Sequence, residues 1–218
     1  MDNRFKDSLL VEGMMNYINE KYGEEFQFEK MFGGFLGSDT HKCIVSSEKY
    51  PGKGITVRRI RVNCENDFSD NYMAVTYEDR TRELVEDVVH GCYGDDALIM
   101  YYLDSNAFPS KNTDWNSFEE YIADPSASIY FTAIINYQFE KADRDRVLKS
   151  LEEKLVSSGL CCGGKLYFCR NVDLTSLNSQ NYYSDFLQYK TYDECLYFDM
   201  STNQGITKSD WEDKPWIK

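Results

Sequence analysis

The clearest pattern in the chain lies between Ser128 and Arg170, where strand-like alternation gives way to helical spacing and then returns. Ile129 to Tyr137 (IYFTAIINY) is rich in β-branched and aromatic residues and apolar on both faces. Ile129, Phe131, Ala133 and Ile135 share one face; Tyr130, Thr132 and Ile134 share the other. That predicts a strand covered on both sides, hence a central one. Val147, Leu148, Leu151, Leu155 and Val156 then recur at helical spacing. Asp143 is placed to cap this helix, Asp145 adds a favourable charge to its first turn, and Gly159 is suited to end it. Lys165 to Arg170 (KLYFCR) reads as the return strand. A β-α-β unit of this kind predicts two parallel strands joined by a crossover helix.

The flanking pattern adds further elements. Asp7 to Tyr22 reads as an amphipathic helix with Leu10, Met14, Tyr17 and Ile18 on one stripe, and Gly13 inside it suggests a close approach by another backbone. Phe26 to Phe32, His41 to Ser47 and Ile55 to Asn63 read as strands, with turns at Gly33, Gly34 and Gly37 and at Pro51 to Gly54. Asn63 to Tyr72 reads as a polar loop, and Glu78 to His90 as a second helix burying Leu84, Val85, Val88 and Val89. Ala97 to Leu103 reads as a buried strand, Asn106 to Asn116 as a linker, Trp115 to Ala123 as a short helix and Cys195 to Met200 as the last strand. The tail from Lys208 carries Trp211 and Trp216, which suggests that it docks on its own domain or on a partner. The expected fold is α+β: a mixed sheet covered by helices, with a C-terminal β-α-β unit. A single domain over residues 1–218 is expected; the alternative is two similar α+β halves, 1–105 and 116–218.

Composition narrows the partners. Apolar residues make up 42% of the chain, enough for a core, and 17 Tyr and 13 Phe mean that much of the packing comes from rings. The net charge is −13. Residues 1–109 hold 12 basic and 20 acidic side chains and residues 110–218 hold 12 and 17, so the halves carry −8 and −5 and the acidity is global. Such a chain is repelled by nucleic-acid phosphates and anionic membranes and suits a basic protein partner, although acidity also serves solubility alone. No apolar run approaches the roughly 18 residues of a membrane span, and no signal segment follows Met1, so no membrane insertion and a cytoplasmic location are expected. The alternative is export, with a leader removed. Seven scattered cysteines form no C-x-x-C pair; they read as core thiols in a reducing compartment, with no metal and no cofactor expected.

Candidate chemistry is sparse. Arg58, Arg59 and Arg61 form the one basic cluster, suited to an anion or to pairing with neighbouring carboxylates. Glu65, Asp67 and Asp70 concentrate negative charge in the polar loop without the register of a calcium-binding loop. His41 and His90 are far apart in sequence, and no P-loop, G-x-S-x-G or H-E-x-x-H pattern occurs. The run Tyr17-Ile18, Tyr22-Gly23-Glu24-Glu25-Phe26, with Phe68 and Asp70-Asn71-Tyr72 after it, resembles a group of uncharacterised Gram-positive bacterial proteins, many small and exported or lipid-anchored. The resemblance spans roughly the first 90 residues. It implies a helix, a hairpin and an Asp-Asn-Tyr loop at the start of the fold, and no activity.

Three functions compete. The first is a non-enzymatic acidic module that binds a basic protein, as an immunity or inhibitor protein does, with Asp67, Asp70 and Tyr72 as part of its contact surface. The second is an enzyme whose carboxylates and tyrosines meet only in the fold. The third is a small-ligand binding protein.

Overall fold

Alternation in the sequence produces strands that sort into two sheets. The computed structural model describes residues 3–32, 41–59, 67–104, 107–109, 114–189, 192–201 and 203–213. Helix α1 (Asn3–Tyr22) leads into β1 (Phe26–Phe32), β2 (Lys42–Ser47), β3 (Ile55–Arg59) and β4 (Phe68–Asp70). Then come α2 (Tyr72–Tyr93), β5 (Ala97–Tyr101), α3 (Phe118–Ala123), β6 (Ile129–Asn136) and α4 (Arg144–Ser158). The chain continues through β7 (Cys162–Cys169), α5 (Tyr182–Asp185), β8 (Glu194–Ser201) and β9 (Gly205–Asp213). Among the described residues, β1 to β4 form an antiparallel sheet in chain order. Strands β5 to β9 form a second sheet, also in chain order, which is mixed because β6 and β7 run parallel. The fold is α+β.

The chain divides into two compact units, and the division falls inside α2. One comprises Met1–Tyr77 with Ser105–Trp115; the other comprises Glu78–Asp104 with Asn116–Lys218. The halves 1–105 and 116–218 considered from the sequence cut the chain differently. Residues 97–101 form β5, which pairs with β6, and so belong to the second unit.

In the first unit α1 lies against β1, β3 and β4. Met14 and Ile18 are fully buried, as are Cys43, Val45, Ile55 and Val57 on the sheet. The close approach expected at Gly13 comes from a ring, not a backbone: a Cβ there would sit 3.3 Å from Phe68 Cζ. The polar stretch expected as a loop instead supplies β4 and the cap of α2. Asn71 O accepts from Val75 N at 3.1 Å and Asp70 Oδ1 from Tyr72 N at 2.9 Å, so the helix starts six residues before Glu78. Tyr72, Val75, Thr76 and Tyr77 in its first turns are aromatic or β-branched and weak helix formers; burial of Tyr72 and Val75 overrides that preference.

In the second unit β6 lies between β5 and β7, and α4 connects the two parallel strands. Val147, Leu151 and Leu155 form the buried stripe of α4; Leu148 is half-buried and Val156 exposed, outside the stripe expected of them. Asp143 makes no side-chain capping bond, because a 3-10 turn over Lys141–Asp143 precedes the helix, and it pairs with Arg146 at 3.4 Å. Gly159 ends the helix at φ +70°. Strand β7 begins at Cys162, earlier than Lys165, and runs through Gly163 and Gly164; a Cβ on Gly164 would lie 2.7 Å from the Phe198 ring. Strand β5, expected as a buried strand, is an edge of its sheet among the described residues. The expected tail is largely strand β9, and Trp211 docks on its own unit, stacked on Phe168 at 6.0 Å with Phe139 at 5.7 Å. The glycine turn at Gly33, Gly34 and Gly37, the end of the third strand with Arg61, and Cys64, Glu65 and Trp216 lie outside the described residues.

Candidate functional site

The residues singled out by the Asp-Asn-Tyr motif meet inside the first unit. Asp70 is buried, and its carboxylate is saturated. Oδ2 accepts from the Tyr17 hydroxyl at 2.8 Å and the Lys21 ammonium at 2.7 Å; Oδ1 accepts from the Tyr22 hydroxyl at 2.8 Å as well as Tyr72 N. Lys21 also reaches Asp114 at 2.7 Å. Asn71 Oδ1 accepts from Thr56 N at 2.7 Å, which ties the motif to β3. The Tyr72 hydroxyl donates to the Glu24 carboxylate at 2.7 Å, and its ring packs 4.3 Å from that of Tyr22. Two segments about 45 residues apart thus close one network.

The electrostatics of this network favour a lock. Burial, reinforced by the Asp70 charge, pushes the hydroxyls of Tyr17 and Tyr22 well above the ordinary tyrosine value. Burial pulls Lys21 down, but the Asp70 charge and hydrogen bonds to Asp114, Asp70 and Tyr17 outweigh it and hold the ammonium above its ordinary value. Tyr17, Tyr22 and Lys21 therefore stay protonated as their partners require, and none of the three is poised for proton transfer near neutrality. Of the expected contact residues, Asp70 and Tyr72 are therefore internal and Asp67 is half-buried. Asp70 and Tyr72 are thus not presented as a contact surface: the Asp70 carboxylate already holds four donors and has no lone pair left to offer.

Other candidates resolve into packing. The Arg58 guanidinium stacks 3.8 Å from the Phe108 ring centroid, and burial lowers its pKa. None of the six described cysteines forms a disulfide, and all but Cys92 are buried. Burial pushes the thiol of Cys43 up to about 11 and those of Cys169 and Cys195 up to about 12, so they stay protonated. His41 precedes β2, and His90 sits in the last turn of α2. Among the described residues no three His, Cys, Asp or Glu side chains converge on a possible metal position. None of the described helices is long and apolar enough to cross a membrane.

An open polar and aromatic surface stands on the second unit. The strand registers align Tyr130, Gly163, Asp199 and Lys208 in one row across β6 to β9, and Thr132, Lys165, Tyr197 and Asp210 in the next. In the third row Ile134, Tyr167 and Cys195 run under the segment bearing α5, where Phe186 and Tyr192 close a second small core, and Glu212 ends the row half-buried at the edge. The first two rows remain open. Tyr130 is 45% exposed, and Asp199, Lys208 and Asp210 are exposed. Lys165 Nζ lies 4.3 Å from the centre of the Tyr197 ring, whose hydroxyl donates to Glu212 Oε2 at 3.0 Å. Burial raises the pKa of both Tyr130 and Tyr197, with the Asp199 charge adding to it at Tyr130. Both hydroxyls therefore stay protonated near neutrality. Two shallow concavities of about 190 and 510 Å³ flank Tyr197 and Lys208. Sequence reasoning missed this surface because Lys208 and Asp210 fell in the supposed tail; the usable signal was the polar alternation of Lys165, Tyr197 and Asp199 within strands.

No protein-family model and no curated protein matches the sequence. One solved structure resembles the fold distantly. It is the crystal structure of a DUF5037 family protein from Ruminococcus gnavus ATCC 29149, 12% identical, aligned over 90% of this chain and 93% of its own with a TM-score of 0.41. A likeness of that degree bears on neither activity nor site residues.

Proposed function

We propose that this protein is a non-enzymatic acidic binding module whose partner is a basic protein, in the manner of an immunity or inhibitor protein. The observation that carries the reading is the open half of the second sheet. There an exposed Tyr130 stands beside Asp199, with Asp210 and Glu212 on the neighbouring strand. Aromatic side chains anchor interfaces and carboxylates around them select cations, while tyrosine hydroxyls held protonated favour recognition over catalysis. The net charge of −13 steers a basic partner toward the whole surface. A cytoplasmic location goes with this reading, since none of the described cysteines forms a disulfide.

The test uses the intact chain as bait in a lysate of its source organism, and then stopped-flow association with the purified stoichiometric partner. The partner should be basic, and its association rate should fall steeply with salt while dissociation changes less. An acidic partner, or association indifferent to salt, overturns the reading. A second reading, small-ligand binding, draws on the concavity of about 190 Å³ between Tyr130 and Tyr197.

A further inference from the structure

Strand β9 is an edge of the five-stranded sheet: among the described residues it pairs with β8 alone. At its start the edge is covered, because Ile206 N donates to Glu152 Oε1 at 2.9 Å. Covers of this kind protect edges, since an open row of backbone N–H and C=O groups templates another strand. Beyond Ile206 the strand is exposed from Thr207 to Asp210. Its side chains alternate, with Lys208, Asp210 and Glu212 on the open face and Ser209 and Trp211 on the other. Neither Lys208 nor Asp210 is engaged in an ion pair with a described residue. The concavity of about 510 Å³ runs along this edge and is lined by Tyr197, Lys208, Asp210, Trp211 and Glu212.

We propose that β9 takes up an extended segment of a partner protein as a further strand, with basic side chains facing Asp210 and Glu212 and an acidic or neutral one facing Lys208. Main-chain hydrogen bonds supply affinity in strand addition, and the side-chain rows supply specificity. A slip of one residue would turn every side chain to the other face, and a row of one cation followed by two anions disfavours a slip of two, so the register is fixed. The half-buried Trp211 ring gives an apolar residue of the segment something to pack against on the opposite face. This proposal rests on the binding-module reading and specifies its partner as an extended segment with basic residues two apart.

The experiment titrates the intact protein with two synthetic peptides, Glu-Thr-Lys-Val-Lys and Lys-Val-Lys-Thr-Glu, each extended by two threonines at both ends, which cover parallel and antiparallel addition. Their charge-inverted counterparts serve as controls. One of the first pair should bind and slow amide hydrogen exchange along residues 207–213. Asp210→Lys should weaken that peptide by roughly tenfold, as expected when a facing pair turns from unlike to like charge. A peptide with Glu at the facing position should restore binding to the variant. No binding by either peptide, binding without protection of β9, or equal binding by the charge-inverted controls overturns the proposal. If a basic partner from the lysate still associates in a salt-steered way while β9 exchanges unchanged, strand addition fails and the binding-module reading stands. If no basic partner is retained, the module reading fails as well.

Discussion

Asp70 combines a buried charge with a full set of donors, and that makes it the most sensitive position in the first unit. Asp70→Asn keeps the shape but turns one acceptor into a donor facing Tyr17, Tyr22 or Lys21. Removing one partner of a buried pair in this way costs about 3–5 kcal/mol, which urea unfolding should show as a lower midpoint. The same network sets a pH dependence. The folded-state pKa values of Tyr17, Tyr22 and Lys21 all lie above the unfolded ones. The folded chain therefore holds more protons than the unfolded chain in alkali. This stability is fully present below the unfolded values, about 10 for tyrosine and lysine, and is lost as pH rises toward the folded ones. A spectroscopic titration should show phenolate absorbance from these residues appearing together with unfolding, not ahead of it. Phenolate forming at Tyr17 and Tyr22 in a chain still folded would contradict the network.

Helix α4 and its two parallel strands were the part of the fold most legible from sequence, because both kinds of periodicity lie in one uninterrupted stretch. Leu151 is fully buried at the centre of the stripe. Leu151→Ala should therefore cost about 2–5 kcal/mol from lost burial and the cavity left behind, whereas the exposed Val156→Ala should change stability by no more than about 0.5 kcal/mol. Gly164→Ala should cost about 1–3 kcal/mol by overpacking, since its Cβ would meet the Phe198 ring and lie 3.1 Å from Phe131 O. Calorimetry on the three variants checks the order. Elements whose cause is distant were not legible in this way. The start of α2 depends on Asp70 and Asn71 being held by α1 and β3, and a polar segment read alone looks like a loop. Strand β9 looked like a charged tail because its one large apolar ring, Trp211, finds Phe139 and Phe168 far back in the chain. The contact residues expected at Asp70 and Tyr72 failed for the same reason: their charge and ring are consumed internally.

The acidity of the whole molecule was legible from composition, but where it could be used was not, because only strand register brings Asp199, Asp210 and Tyr130 onto one surface. The first unit is discontinuous in the chain: residues 105–115 return to it after α2 and β5 have been made. Lys21 finds Asp114 across 93 positions, and Arg58 finds the Phe108 ring across a gap about half as long. Closing such loops is slow because the entropy is lost before the contact forms. During synthesis the early sheet therefore emerges with Lys21 held by Asp70 and Tyr17 but not by Asp114, and with Arg58 lacking the Phe108 ring, and it matures only once residue 114 has left the ribosome. A fragment ending at residue 77 should accordingly exchange its β3 amides faster than the intact chain, and adding a peptide of residues 105–115 should slow them again.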